Sequence, residues 1–283
     1  MKKTLVKSIL LAIFGMMVVQ NVNAQKISAG EEVATNIGPG LGVGDYFYYD
    51  NILYQVATVA SSGNYEAKAV SFYGESLPAE IEILGGGQAN SCTFTVTEIE
   101  ALNSVKTMSG TSYVAGDASA LDAITTLIFV KEDGFGGFAG TIKAGSFANL
   151  SSLAYIYTEL ETPPAAESGS FAANIKNNVR LTVPVAEYGT IAGKYAKDAG
   201  WGEIKTIYTE GDNFAFGDVD CNNTFNSGDT SLLAIFAKVR KNNEASFDQT
   251  INLHSIDIDG NGVKNSADAS ALSIMIKNRA RKK

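Results

Sequence analysis

The stretches GDVDCNNTFNSGDTSLLAIFAKV, Gly217–Val239, and IDIDGNGVKNSADASALSIMIKN, Ile256–Asn278, superpose without a gap. Each opens on a twelve-residue loop, Asp218–Asp229 and Asp257–Asp268, with Asp, Asp, Asn, Asn and Asp at positions 1, 3, 5, 9 and 12. A hard cation calls for such an alternation of oxygen-bearing side chains: calcium takes about six to eight oxygens at roughly 2.3 to 2.6 Å, and a loop of this length can wrap them round one ion. The sequence therefore predicts two calcium ions, one to each loop. Asp218, Asp220, Asn222 and Asp229 would hold the first, with the carbonyl of Thr224 at position 7 and Asn226 at position 9, directly or through water. Asp257, Asp259, Asn261 and Asp268, the carbonyl of Val263, and Asn265 would hold the second. Three carboxylates converge in each loop, so without a cation their mutual repulsion should loosen it. Position 6 needs a sharp turn, which Gly262 accommodates best and Asn223 tolerates better than most residues would. The first loop is expected to bind more weakly.

Apolar residues at helical spacing follow both loops: Leu232, Leu233, Phe236 and Val239 after the first, Leu272, Met275 and Ile276 after the second. Nothing before Asp218 or Asp257 reads as a helix, so the unit is a loop followed by one helix and not the helix-loop-helix of an EF-hand. Over Phe214–Arg279 this duplication resembles the type I dockerin of bacterial cellulosome-like assemblies. The resemblance implies a small all-α calcium-binding domain at 214–279, its two helices antiparallel across a pseudo-twofold, that docks onto a cohesin-like partner. It also implies that loop positions 10 and 11 touch that partner: Ser227 and Gly228, and Ser266 and Ala267, with either helix able to lead. The 39-residue interval between loop starts is long for the family, and the excess lies in RKNNEASFDQTINLHS, Arg240–Ser255.

Upstream, from Tyr46 to Glu210, short runs such as YEAKAVSFY, CTFTVTEI, LAYIY and VRLTV alternate apolar with polar residues and read as strands. Leu127, Leu153, Val179 and Ile204 recur at 26, 26 and 25 residues, a leucine-rich-repeat period. Gly145-Ser146-Phe147-Ala148 is echoed by Gly169-Ser170-Phe171-Ala172, each copy expected to turn the chain and bury its phenylalanine. Phe147, Leu150, Leu153, Phe171, Val179 and Leu181 are the core candidates, since one coil of a repeat cannot bury its own apolar face. With Val183-Pro184, Tyr195 and Trp201, this region resembles the closing coils of BspA-type leucine-rich repeats of bacterial surface proteins. The fold expected is a mainly β leucine-rich-repeat-like solenoid with short helices over 46–211, plus the all-α dockerin-like domain. A small β-sandwich is the competing arrangement.

Residues 1–24, MKKTLVKSILLAIFGMMVVQNVNA, have the basic start, apolar middle and terminal Ala24 of a cleaved secretory signal. Their apolar run, Ile9–Val19, is shorter than the ~20 residues a spanning helix needs, so export without a membrane span is expected, to the extracellular space or cell surface. Residues 25–45 read as an N-terminal arm, where the glycines of Gly38–Gly44 lack the Lys-Ser/Thr of a phosphate loop, and 280–283 as a basic tail. Loss of Lys2, Lys3 and Lys7 with the signal takes the formal net charge from −8 to −11. That balance disfavours nucleic acid and anionic lipid as partners and favours cations. Cys92 and Cys221 fall in different predicted domains and are not expected to pair.

The catalytic inventory is poor. His254 is the sole histidine, which rules out a histidine triad or zinc cluster in the β region, and no Gly-x-Ser-x-Gly elbow occurs. Glu98, Glu100, Asp117 and Glu159 read as solvated charges rather than a general acid and base. The expected function is a secreted, non-catalytic recognition or adhesion protein that docks through its calcium-dependent module onto a cohesin-bearing scaffold. Its β region would meet a protein or glycan, with Tyr155 and Tyr157 as exposed aromatics. The alternative is a dockerin-bearing carbohydrate-binding module or weakly active glycoside hydrolase.

Overall fold

The structure, a computed structural model, describes residues 34–132, 134–239 and 251–281. The expected signal segment, the first part of the arm, the start of the Arg240–Ser255 stretch and the end of the basic tail lie outside the described residues. Strands β1 Tyr46–Tyr49, β2 Ile52–Ser61, β3 Asn64–Tyr73, β4 Glu80–Ile83, β5 Gly86–Ala89, β6 Cys92–Ile99, β7 Val105–Ser109 and β8 Ser112–Ala115 fill the first half. There follow β9 Thr126–Phe129, β10 Lys131–Glu132, β11 Gly136–Gly137, β12 Thr141–Ile142, β13 Tyr155–Thr158 and β14 Ala165–Ala166. Helix α1 Ala173–Asn178, β15 Arg180–Val183, α2 Thr190–Lys197, β16 Thr206–Thr209, α3 Ser227–Val239 and α4 Ser266–Arg281 complete the chain.

The first half folds back on itself because its turns can take left-handed backbone. Asn90 (φ 51°) and Ser91 (φ 61°) form the two-residue connection of the β5–β6 hairpin, the geometry that matches strand twist. Gly63 (φ 80°) and Gly110 (φ 63°) do the same for β2–β3 and β7–β8. These hairpins combine with parallel pairs, β3 on β6 and β6 on β12, into one mixed nine-stranded sheet. A second sheet, in the order β16-β15-β13-β9-β4, is parallel throughout. Its register sets Ile81, Leu127, Ile156, Leu181 and Ile207 in one buried row, while Glu80, Tyr155, Arg180 and Thr206 line the opposite face.

The aromatic core lies beneath the parallel sheet. Phe147 and Phe171 stack at 5.5 Å, and Trp201 meets Phe171 at 5.0 Å, Phe129 at 5.2 Å and Tyr195 at 5.3 Å. Gly145 (φ 80°) and Gly169 (φ 86°) turn the chain into each phenylalanine, and the hydroxyls of Ser146 and Ser170 donate to the carbonyls of Ile99 and Ile142. All six core candidates, Phe147, Leu150, Leu153, Phe171, Val179 and Leu181, are buried.

The expected fold class is overturned. The chain is mainly β with one mixed sheet, one parallel sheet, a two-stranded β10–β11 ribbon and a few short helices, not a solenoid joined to an all-α domain. Two physical causes stand out. The antiparallel hairpins replace repeating coils over the first half, and the aligned residues Leu127, Ile156, Leu181 and Ile207 are spaced 29, 25 and 26 apart, so the even period read through Leu153, Val179 and Ile204 tracks residues that precede the strands. The C-terminal loops and helices also belong to the compact unit Ala34–Lys283 that holds both sheets. Among the described residues no helix is long and apolar enough to cross a membrane.

Replacing Phe171 by alanine removes the ring between Phe147 and Trp201. We expect a loss of about 3–5 kcal/mol in urea unfolding followed by Trp201 emission, against under ~0.5 kcal/mol for a surface change such as Thr206→Ser.

Candidate metal centre

Each acidic loop is a compact turn whose backbone N–H groups point inward at its own carboxylates. In the first, Asn222 N and Asn223 N donate to Asp218 at 3.1 and 2.8 Å; in the second, Asn261 N and Gly262 N donate to Asp257 at 3.1 and 2.9 Å. Asp229 accepts from Val219 N at 2.8 Å and Asn226 N at 2.9 Å, and Asp268 accepts from Ile258 N at 2.9 Å and Asn265 N at 2.8 Å. At the five shared positions the two copies thus make the same hydrogen bonds. Asn226 and Asn265 at position 9 also cap the following helices, their side-chain oxygens accepting from Gly228 N at 2.6 Å and Ala267 N at 2.7 Å. Helices α3 and α4 therefore begin at loop position 10, and Asp229 and Asp268 sit in their first turns, where the helix dipole favours an anion.

The turns require left-handed backbone twice per loop. At position 6, Asn223 has φ 60° and Gly262 φ 79°, as the sequence led us to expect. Position 4 was not foreseen: Cys221 has φ 60° and Gly260 φ 65°. Gly260 was the only available signal, since a cysteine gives no hint of that conformation.

Carboxylate oxygens of Asp218, Asp220 and Asp229 lie within 4.8 Å of one another, and so do those of Asp257, Asp259 and Asp268. Two oxygens on opposite sides of a calcium-sized ion, each about 2.4 Å from it, are separated by a similar distance. The triads contain neither histidine nor cysteine, so the donor set suits a hard cation rather than zinc or copper. The remaining ligand candidates lie in the same turns: Asn222 and Asn261 Nδ2 donate to Asp220 and Asp259 at 2.8 Å, and the carbonyls of Thr224 and Val263 accept from Asn226 and Asn265 at 3.2 Å. The residues present fit a divalent hard cation in both loops.

Burial is the main electrostatic strain. Asp218, Asp229, Asp257 and Asp268 are all 0% exposed. Desolvation pushes the Asp218 carboxyl above its ordinary 3.8, backbone donors from Asn223 and Asn222 oppose the shift, and Asp229 and Asp220 add to it. Asp268 is raised in the same way, by burial first and then by Asp259 and Asp257 against the pull of backbone donors. Burial and the surrounding carboxylates also push the Cys221 thiol up.

The four positions assigned to a partner, Ser227, Gly228, Ser266 and Ala267, are exposed. On the helices, Leu232, Leu233, Phe236 and Leu272 are buried, whereas Val239, Met275 and Ile276 are half-buried. Two residues that the sequence reading passed over, Ile235 and Ile274, stand 51% and 59% exposed at matching places one repeat apart. Cys92 and Cys221 are free thiols.

No family model matches the chain, and no curated protein matches it. Among solved structures, the crystal structure of the pneumococcal vaccine antigen PcpA is similar at 15% identity and a TM-score of 0.28, over 63% of this chain and 54% of that one. The chain spans about half the length of that antigen, and a likeness at this level carries no argument.

A raised folded-state pKa means that the folded, metal-free loop holds its proton more tightly than the unfolded chain does. Ionised Asp218 and Asp268 therefore cost stability above their raised values, and that cost vanishes as the pH falls through them toward 3.8. A cation needs the ionised forms, so we expect calcium affinity measured by calorimetry to fall as the pH is lowered from 7 into that window. Asp268→Asn should weaken the second site by about 10- to 100-fold at pH 7, judged by the loss of one calorimetric transition.

Proposed function

We propose that the chain is an exported, non-catalytic recognition protein whose C-terminal loops each bind a calcium ion and, so ordered, dock onto a cohesin-like domain of an extracellular or cell-surface scaffold. The observation that carries this reading is the duplication itself: two twelve-residue loops 39 residues apart with the same five oxygen-bearing residues and the same inward hydrogen bonds. A polar turn selected for nothing but its shape has no need of three converging carboxylates, two of them fully buried, in both copies. Calcium supplies positive charge at the centre of each loop; the chain's own residues fix the helix starts through Asn226, Asp229, Asn265 and Asp268.

The docking half of the proposal draws support from what the ordered loops present. Ser227 and Gly228, with Ile235 about two turns further along the same helix, and Ser266 and Ala267, with Ile274 likewise about two turns on, are matching sets of exposed residues in the two copies. Small residues let a partner's backbone approach closely, and an exposed isoleucine is a ready hot spot once desolvated. Either set can serve as the contact, as the dockerin resemblance implies.

A second reading has one observation in its favour. Tyr155 and Tyr157 lie side by side on the outer face of the parallel sheet with ring centroids 6.2 Å apart and planes 18° apart, and Arg180 covers the Tyr208 ring at 3.7 Å. An aromatic row with polar neighbours suits a sugar chain as well as a protein. A glycan array and a reducing-sugar assay on the full chain separate the readings: detectable hydrolysis moves the protein to the hydrolase class, and its absence leaves the recognition reading in place.

Replacement of Ser227 and Ser266 together by arginine should abolish calcium-dependent capture of a cohesin-like domain while leaving both calorimetric calcium transitions. Capture of the same domain by the double variant would remove these positions from the interface.

A further inference from the structure

The second loop is not a free-standing metal turn. The short 3-10 turn Glu187–Gly189 and helix α2, which begin just after strand β15, press directly on it. The Tyr188 carbonyl accepts from Ile256 N at 3.2 Å and from Asp257 N at 2.9 Å. Tyr188 holds φ 59°, an unusual state for a bulky residue, and one that over-determined surroundings must maintain. The approach is backbone to backbone: a β-carbon on Gly189 would run into the His254 carbonyl, one on Gly193 would meet the Asp257 carbonyl at 2.5 Å, and one on Gly260 would meet Lys194 N at 2.5 Å. The Lys264 ammonium stands over the Tyr188 ring.

One contact reaches the candidate ligand set itself. Thr190 Oγ1, on the first turn of α2, donates to Asp257 Oδ2 at 2.7 Å, the carboxylate oxygen that also accepts from Gly262 N. In the first loop the matching Asp218 accepts from Asn222 and Asn223 of its own turn. Helix α2 also enters the core: Tyr195 is fully buried, donates to the Leu160 carbonyl at 3.0 Å and packs edge-on against Trp201 at 5.3 Å. One eight-residue helix thus touches the second loop at one end and the aromatic core at the other.

We propose that Thr190 is a positioning residue for the second calcium site and that α2 makes occupancy of this site a determinant of the stability of the β core. The inference rests on the calcium reading above. Its physical basis is linkage: an ion that binds only the formed loop stabilises everything that must be in place for the loop to form, and for the second loop that includes Tyr188, Gly189, Thr190 and Gly193. The hydroxyl of Thr190 fixes one oxygen of Asp257 and leaves the carboxylate aimed before any ion arrives, as outer hydrogen bonds do at metal sites.

The chain carries its own reporter, because Trp201 is the sole tryptophan and lies in the core, not in either loop. The experiment uses the full secreted chain and calcium alone, with calorimetry for binding and Trp201 emission for urea unfolding. We expect two calcium transitions and a higher urea midpoint at Trp201 with calcium than with chelator. Asp259→Asn should remove most of that shift and Asp220→Asn much less, since among the described residues it is the second loop that bonds to α2 and the turn before it. Thr190→Val should weaken the second transition about tenfold and shrink the Trp201 shift, and Thr190→Ser, which keeps the hydroxyl, should restore both. Two calcium transitions with an unmoved Trp201 midpoint, or equal effects of Asp259→Asn and Asp220→Asn, would overturn the coupling and leave the calcium reading standing. Wild-type affinity in Thr190→Val would overturn the positioning role. Absence of any calcium heat in the wild type would sink the metal reading and this inference with it.

Discussion

Four carboxylates without solvent exposure, Asp218, Asp229, Asp257 and Asp268, set the terms for the C-terminal part of the molecule. A buried anion is tolerated only where opposite charge or well-aimed donors replace its water. Asp218 and Asp257 each receive two backbone N–H donors from their own loop and Asp229 and Asp268 each receive three, which is why the loops are so tightly wound and why both need left-handed residues at positions 4 and 6. The donors are neutral dipoles, however, and three carboxylates still converge in each loop. The desolvation that raises Asp218 and Asp268 is the residue of that incomplete compensation, and it is the free energy that a bound cation would recover.

The two loops share this chemistry and differ in their surroundings. The first leans on the second repeat: Gly217, with φ 100°, is hemmed in by Met275 and Leu272, and its N–H donates to Ser255 Oγ at 2.9 Å. The second leans on the β body through Tyr188, Gly189 and Gly193. The parallel sheet therefore supports the second loop through α2 and the first loop by two routes, through the second repeat and directly where Phe216 N donates to the Ile207 carbonyl of β16. Asp212, just after β16, also meets His254 at 3.2 Å. An arrangement of this kind makes the tail an extension of the core, and it explains why an independent all-α domain is the wrong description.

What could be read from the sequence divides along the same line. The loops were legible because a twelve-residue turn is a local object: its ligands, its turn residue and the helix that follows all lie within one window, and the second copy fixes the alignment. Position 4 escaped because Cys221 occupies in the first loop the place of Gly260 in the second. The strands of the β region were legible from their alternation, and so were the buried phenylalanines. Their assembly was not, because whether a strand pairs with its neighbour by a hairpin or with a distant strand in parallel is decided by two turn residues, such as Asn90 and Ser91, that a repeat search ignores.

The contacts of Gly189 and Gly193 lie furthest from sequence reasoning, yet they carry the most consequence. In the chain they are ordinary small residues near a helix start; in the fold each lets two backbones meet at a distance that any side chain would prevent. That closeness converts a flexible acidic turn into a fixed one, because Asp257 N is already spent on the Tyr188 carbonyl and Asp257 Oδ2 on Thr190. A loop so held loses less conformational entropy when it closes on an ion than a loop that must first organise itself. The same reasoning adds to the sequence-level ranking of the loops a second, independent cause: Gly262 eases the turn of the second loop and the β body holds it, so on the proposed calcium reading both local and tertiary terms would favour Asp257–Asp268 as the tighter site.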